Sequence, residues 1–166
     1  MRQFYDTFST SLGDFSIAVD ANGSVIATAF GGLPELRERF AADEVTHDPA
    51  RLASARSEVT EYFTGKRESF TLKLAPSGTA FQQSVWTALQ RIPFGETRSY
   101  GQLATELGNP GASRAVGRAN ATNPIALIIP CHRVIGSDGA QTGFAFGEEI
   151  KRQLLALERA SSPALV

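Results

Sequence analysis

Leu127–Ile135 reads LIIPCHRVI: an apolar run that delivers Pro130, the only cysteine of the chain, one of its two histidines and an arginine, then turns apolar again before Gly136. The run predicts a buried strand that ends abruptly in reactive side chains. An unpaired cysteine in such a run is, taken alone, more often a small buried hydrophobe. The neighbours of Cys131 change that balance. Pro130 offers no ladder donor, His132 can accept a proton, and Arg133 is costly to bury without a partner. Successive strand residues point to opposite faces, so Cys131 and His132 cannot touch directly if the segment stays extended. Either Pro130 bends the chain or a water carries the proton between them.

Upstream, residues 99–107 (SYGQLATEL) and 112–121 (ASRAVGRANA) predict two short helices separated by Gly108-Asn109-Pro110-Gly111, the outline of a helix-turn-helix. The second helix is nearly free of bulk, and Arg114 and Arg118 stand four apart on one face. Small residues permit close approach to another surface, and two arginines supply charge there. A core helix with solvated arginines is the competing reading. Before this pair, Thr79 is the expected N-cap of a helix bearing Phe81, Val85, Trp86 and Leu89 on one side and stopping before Pro93. Downstream, residues 148–160 predict an amphipathic helix with Ile150, Leu154, Leu155 and Leu157 inward and Glu158 beside them.

Toward the N-terminus, alternating runs at residues 3–9, 13–20 and 24–31, punctuated by Gly13 and Asn22-Gly23, predict an antiparallel three-stranded meander. Pro34 starts a helix through about Ala42. Pro49 starts another that ends at Gly65, and Lys66–Leu74 reads as a further strand. Ala75-Pro76-Ser77-Gly78 is the expected domain boundary, which gives domains 1–77 and 78–166.

Composition narrows the function. The chain has 166 residues, 42% of them apolar, which is ordinary for a globular protein. No apolar run approaches the ~20 residues of a membrane span, and the N-terminus lacks a signal-like apolar core. A soluble, cytoplasmic protein is expected. One cysteine excludes an internal disulfide and a cysteine-rich zinc cluster. His47, in the polar segment DEVTHDP, reads as a solvated loop residue. No metal and no cofactor are expected. Residues 1–76 carry 8 Lys+Arg against 11 Asp+Glu, whereas residues 77–166 carry 8 against 6. The mild basic excess of the second part fits phosphate binding.

The string IPCHRVIG, preceded by SRAVGRAN and NPIALI, and followed by GAQTGFAFG and KRQLLALE, resembles the O6-alkylguanine-DNA alkyltransferase family (methylated-DNA–protein-cysteine methyltransferases) over about residues 79–160. The upstream FGETRSYGQLA agrees in order and spacing. The resemblance implies an α+β chain: a small N-terminal α/β, ribonuclease H-like supporting domain, then a mostly helical, winged helix-turn-helix-like domain that binds DNA and accepts the alkyl group. It implies irreversible transfer of the alkyl group from O6-alkylguanine in duplex DNA to Cys131 after base flipping, one lesion per protein molecule, by a monomer.

On the same resemblance, His132 acts as base through a water, Glu158 holds the imidazole, and Tyr100 donates to the guanine ring. Arg114 fills the space of the flipped base, and Ser113, Ala115 and Arg118 face DNA with it. Asn123 ties the helix-turn-helix to the active-site strand. Val134 and the Thr142–Gly147 loop, with Phe144, Ala145 and Phe146, form the pocket wall. Many members have tyrosine where this chain has Phe144, and often glycine or another aromatic where it has Phe146, so Phe146 is expected to narrow the pocket toward methyl. Two other readings compete: a non-catalytic sensor or regulator that binds alkylated DNA with the same fold, and a cysteine hydrolase. Retention of Cys131, His132 and Glu158 argues against the sensor, and the lack of an evident oxyanion motif argues against the hydrolase.

Overall fold

The computed structural model describes residues 2–41, 44–136 and 144–161. It is a mixed α+β chain that divides into two compact units, Met1–Ser77 with Pro124–Ile128, and Gly78–Asn123 with Ile129–Val166. The expected turn Ser137–Gly139 and the first residues of the Thr142–Gly147 loop lie outside the described residues.

In the first unit, β1 (Gln3–Thr10), β2 (Gly13–Asp20) and β3 (Val25–Phe30) form the expected meander. Alternation along β1 buries Phe4, Asp6 and Phe8 on one face. Phe15 packs edge-on to Phe8 and Phe30, with ring centroids 6.1 and 5.0 Å away. Each buried phenylalanine contributes roughly 1.5–3 kcal/mol. A short strand that the sequence did not signal, β4 (Val45–His47), adds in parallel to β1, giving the order β3-β2-β1-β4. His47 is therefore not a loop residue: its Nε2 lies 2.9 Å from Oδ1 of buried Asp6.

Two other expectations are corrected. Helix α1 (Leu33–Arg37) stops well before Ala42. It buries only Leu36, and a helix with one apolar anchor has little to hold further turns. Residues 66–74 form no strand beyond a single bridge from Leu74 to Val25. The Glu58 carboxylate takes the N–H and the hydroxyl of Thr71 at 2.8 and 2.5 Å, so a donor that a sheet ladder would use is committed to a side chain. Helix α2 (Ala53–Phe63) follows the expected periodicity, burying Ala55, Val59 and Tyr62.

The second unit starts at Gly78, where a Cβ would meet the Trp86 ring at 2.5 Å, so only glycine lets the chain pass. Thr79 caps α3 (Ala80–Leu89): its side chain accepts from Gln82 N, and Gln82 Oε1 accepts from Thr79 N. Phe81, expected on the inner face, is instead the exposed large apolar residue of this helix. Buried Trp86 donates its indole N–H to Ala119 O at 2.8 Å. That residue belongs to α5 (Ser113–Ala121), which follows α4 (Tyr100–Glu106) after a 3-10 turn at Pro110–Ala112.

The stretch from Pro124 to Ile135 is not one strand. Ile125 bridges to Thr28, the chain turns at Leu127 with φ +77°, and Cys131–Arg133 form a single 3-10 turn before β6 (Val134–Ile135). Pro124–Ile128, counted by sequence with the second domain, groups with the first unit because Thr28 N donates to Pro124 O and the buried Thr28 hydroxyl donates to Ala126 O at 2.6 Å. Strand β6 pairs in parallel with β5 (Arg98–Ser99), and α6 (Glu148–Ser161) closes the unit.

Thr28→Val keeps the shape of the side chain but strands the buried Ala126 carbonyl. A loss of about 1–3 kcal/mol of unfolding free energy is expected in denaturant titration. An unchanged midpoint would show that this bond does not anchor the segment.

Candidate active site

The 3-10 turn at Cys131–Arg133 resolves the geometric difficulty of the sequence. In a tight turn, adjacent side chains are not forced to opposite faces, so Cys131, His132 and Arg133 are all buried in the second unit. Two asparagines hold the turn. Asn123 Nδ2 donates to Ile129 O at 2.9 Å, and Asn120 Nδ2 donates to Cys131 O at 3.3 Å. Pro130 contributes no donor, and Cys131 N donates to Ile129 O at 2.7 Å.

Glu158 is the hub of the buried charges. Its Oε2 accepts from His132 Nε2 at 2.7 Å and from Arg133 Nη2 at 3.0 Å, and its Oε1 accepts from Arg133 Nε at 2.8 Å. Arg133 also donates to Ile92 O at 2.8 Å and lies over the Phe94 ring. Burial alone would raise the Glu158 carboxyl, but His132 and Arg133 hold it well below the ordinary carboxylate range. Burial pushes the His132 imidazole below its ordinary value; Glu158 opposes the shift, while Arg133 and Lys151 add to it. His132 is therefore neutral near pH 7. An ionised carboxylate only accepts, so the ring hydrogen sits on Nε2 and the lone pair on Nδ1. That Nδ1 is buried and has no hydrogen-bond partner among the described residues. It is a base atom without a proton, one residue from a thiol.

Tyr100 opens α4 directly after β5, whose pairing with β6 brings it to the cysteine turn. Its phenol is raised by burial and by the nearby Cys131 sulfur, and lowered by a hydrogen bond from Asn120. The structure thus brings Cys131, His132, Glu158, Tyr100, Asn123 and Val134 together. Arg114 and Arg118 lie exposed on α5, with Ser113 and Ala115 half-buried beside them. Neither arginine forms an ion pair among the described residues. Phe144 is buried and meets half-buried Phe146 edge-on, centroids 5.8 Å apart, with Ala145 exposed between them.

Lys151 was not singled out by the sequence reading. Fully buried, it donates from Nζ to Val134 O at 2.5 Å. Burial lowers it to about 8, opposed by the attraction of Cys131 and then of Glu148. The signal was present: Lys151, Leu154, Leu155 and Glu158 share the i, i+3, i+4, i+7 spacing of one helix face, and these four are the buried residues of the stretch, whereas Ile150 and Leu157 are only half-buried. Asn120 was also passed over, hidden among the alanines of α5. No group of three or more His, Cys, Asp or Glu residues placed to hold a metal occurs among the described residues.

A lone thiol beside a neutral histidine, itself oriented by a buried carboxylate and joined by a hydrogen bond to a helix with two exposed arginines, is the arrangement of a cysteine-nucleophile protein with a basic helix. The family model for the 6-O-methylguanine DNA methyltransferase DNA binding domain matches residues 80–160. The chain is 45% identical to a methylated-DNA–protein-cysteine methyltransferase of Methanosarcina acetivorans, covering 93% of this chain and 97% of that one. To the constitutive enzyme of that name in Bacillus subtilis it is 42% identical, over 95% and 96% of the two chains. Its fold is similar to crystal structures of Mycobacterium tuberculosis O6-methylguanine methyltransferase and of the Mycobacterium tuberculosis OGT in complex with DNA. Each has a TM-score of 0.86 at 41% identity; the pairs cover 98% and 97% of this chain and 96% of the other. The chain belongs to the methylated-DNA–protein-cysteine methyltransferase family.

Two of the depressed groups, His132 and Glu158, make stability pH-dependent below neutrality. Below its ordinary value of 6.5, His132 binds a proton in the unfolded chain before it does in the folded one, so stability falls as pH falls from there. Glu158 stabilises the fold above 4.5, its ordinary value, and this contribution is lost as pH falls below it. The melting midpoint is expected to be level near neutrality, to decline below about pH 6.5 and to decline again below about 4.5. In His132→Gln the first decline disappears. A midpoint unchanged between these two values in the unsubstituted protein would mean that His132 is not held neutral.

Proposed function

We propose that this protein repairs duplex DNA by transferring the alkyl group of O6-alkylguanine to Cys131, once per molecule. The observation that carries this reading is the Nδ1 of His132, which has no hydrogen-bond partner among the described residues, a base held ready one residue from the single thiol. The Cys131 S–H proton passes through a water to Nδ1, leaving a thiolate and an imidazolium paired with Glu158. The sulfur attacks the alkyl carbon, an S–C bond forms, and the C–O6 bond breaks with its electron pair going to the guanine. Tyr100 donates to the ring as that negative charge develops. The product is a thioether, so the protein is consumed. Lys151 places a cation by the same sulfur and favours its anionic form.

The helix pair α4 and α5 serves as the helix-turn-helix of a winged helix-like domain spanning residues 78–166, with the ribonuclease H-like domain of residues 1–77 supporting it. Arg114 takes the place of the extruded base, offsetting part of the few kcal/mol that flipping costs. Ser113 and Ala115 lie against the minor groove, and Arg118 contacts phosphate. Asn123 links this helix to the cysteine turn. Val134, Phe144, Ala145 and Phe146 wall the pocket. The partner is double-stranded DNA carrying O6-alkylguanine, met by a monomer in the cytoplasm without a cofactor. Among the described residues no helix is long and apolar enough to cross a membrane.

Incubation with a duplex containing O6-methylguanine should add one methyl to the intact mass, located on Cys131 and absent in Cys131→Ser. Binding without mass gain would instead favour a damage sensor, and turnover of an ester or peptide a hydrolase.

Phe146, stacked edge-on over Phe144, narrows the pocket toward small alkyl groups. Phe146→Gly should raise the rate with O6-benzylguanine in DNA roughly tenfold while leaving the methyl rate within about twofold, as expected for removing steric exclusion from an apolar pocket. Equal methyl and benzyl rates in the unsubstituted protein would refute the assignment.

A further inference from the structure

Asn120 takes no part in the chemistry above, yet it is 1% exposed on α5, the helix that carries Arg114. Three residues before it, a Cβ added to Gly117 would lie 3.9 Å from the Tyr100 ring, so this face of α5 rests against the tyrosine. Asn120 Nδ2 donates to Cys131 O at 3.3 Å, and a carbonyl only accepts, which fixes the orientation of the amide. The same side chain hydrogen-bonds the Tyr100 phenol. Its Oδ1 is buried and has no hydrogen-bond partner among the described residues. The bond to the phenol therefore uses the second hydrogen of Nδ2, with the phenol oxygen accepting. A phenol that accepts from Asn120 keeps its own hydrogen for another acceptor.

We propose that Asn120 is a positioning residue for alkyl transfer: one amide directs the Tyr100 hydroxyl as a donor toward the bound base and fixes the Cys131 backbone at the same time. The inference rests on the reading of Tyr100 as donor to the guanine. It refers the donor and the nucleophile to one side chain of α5, so docking of that helix and alignment of the reacting groups become a single event. A purely structural asparagine would act on stability alone. Here the buried Oδ1 gains nothing from the fold, which leaves its two donated hydrogens as the reason for an amide at this position.

The test is a double-mutant cycle, read as single-turnover transfer from an O6-methylguanine duplex with protein in excess and at saturation. Tyr100→Phe should slow transfer roughly a hundredfold, the scale of losing one donor to a developing oxyanion. Asn120→Leu should slow it about tenfold, the scale of one neutral hydrogen bond. Asn120→Asp, of nearly the same shape, should slow it further, because a carboxylate draws the phenol hydrogen to itself. In the Tyr100→Phe background Asn120→Leu should then cost less than about twofold, since nothing is left to direct. DNA dissociation constants should stay within about twofold throughout. The alkaline fall in rate should move to higher pH in Asn120→Leu, as the phenol loses the bond that lowers it.

Additive losses, or wild-type rates in both Asn120 variants, overturn the proposal. A wild-type rate in Tyr100→Phe instead removes the donor reading of Tyr100 itself. If Asn120→Leu does not fold, the same cycle with Asn120→Asp decides the question by the same criteria.

Discussion

The buried carboxylate of Glu158 is the constraint on which the second unit depends. It accepts three hydrogen bonds from two adjacent residues of one 3-10 turn, and those residues directly follow the thiol. Taking a carboxylate and a guanidinium out of water costs several kcal/mol per charge, and the cost is offset only where the charged groups are paired and hydrogen-bonded. Arg133 completes the matching by donating to Ile92 O. The consequence reaches beyond stability. His132 and the permanently charged Arg133 together keep Glu158 ionised, and the imidazole presents its Nε2 hydrogen to the acid with its basic nitrogen turned away from it.

The second constraint is backbone rather than charge. A 3-10 turn exposes carbonyls that a helix or sheet would satisfy; here Asn120 of α5 donates to Cys131 O, and Asn123, just past the end of that helix, donates to Ile129 O ahead of the turn. The helix with the exposed arginines is thereby bonded to the backbone around the nucleophile. A Cβ at Gly117 would lie 3.9 Å from the Tyr100 ring, an ordinary contact, so this face of α5 rests against the tyrosine.

Much of this was legible in the residues. Alternation and turn chemistry located the meander, Thr79 marked a helix start, and the chemical oddity of a proline, cysteine, histidine and arginine inside an apolar run located the site. What was misread has a common cause, the competition of side chains for backbone groups. Glu58 took the donor of Thr71 and ended a strand that local pattern favoured. The strand expected through Cys131 broke because Ile125 and Ala126 bond to Thr28, nearly a hundred residues earlier, while Cys131–Arg133 curl toward Glu158 from the last helix. His47, too, found Asp6 across a strand pairing that no local signal announces.

The sequence by itself determined which residue types could react and in what order they come along the chain, since these follow from composition and short-range periodicity. It also placed Glu158 near the apolar face of its helix. Only the tertiary structure decided the tautomer of His132, the burial of Lys151 on that same face and the bond from Asn120 to the Cys131 carbonyl. Each of these depends on which group lies within about 3 Å across distant segments, a quantity set by packing and hydrogen-bond matching, and one to which helical and strand periods carry no information.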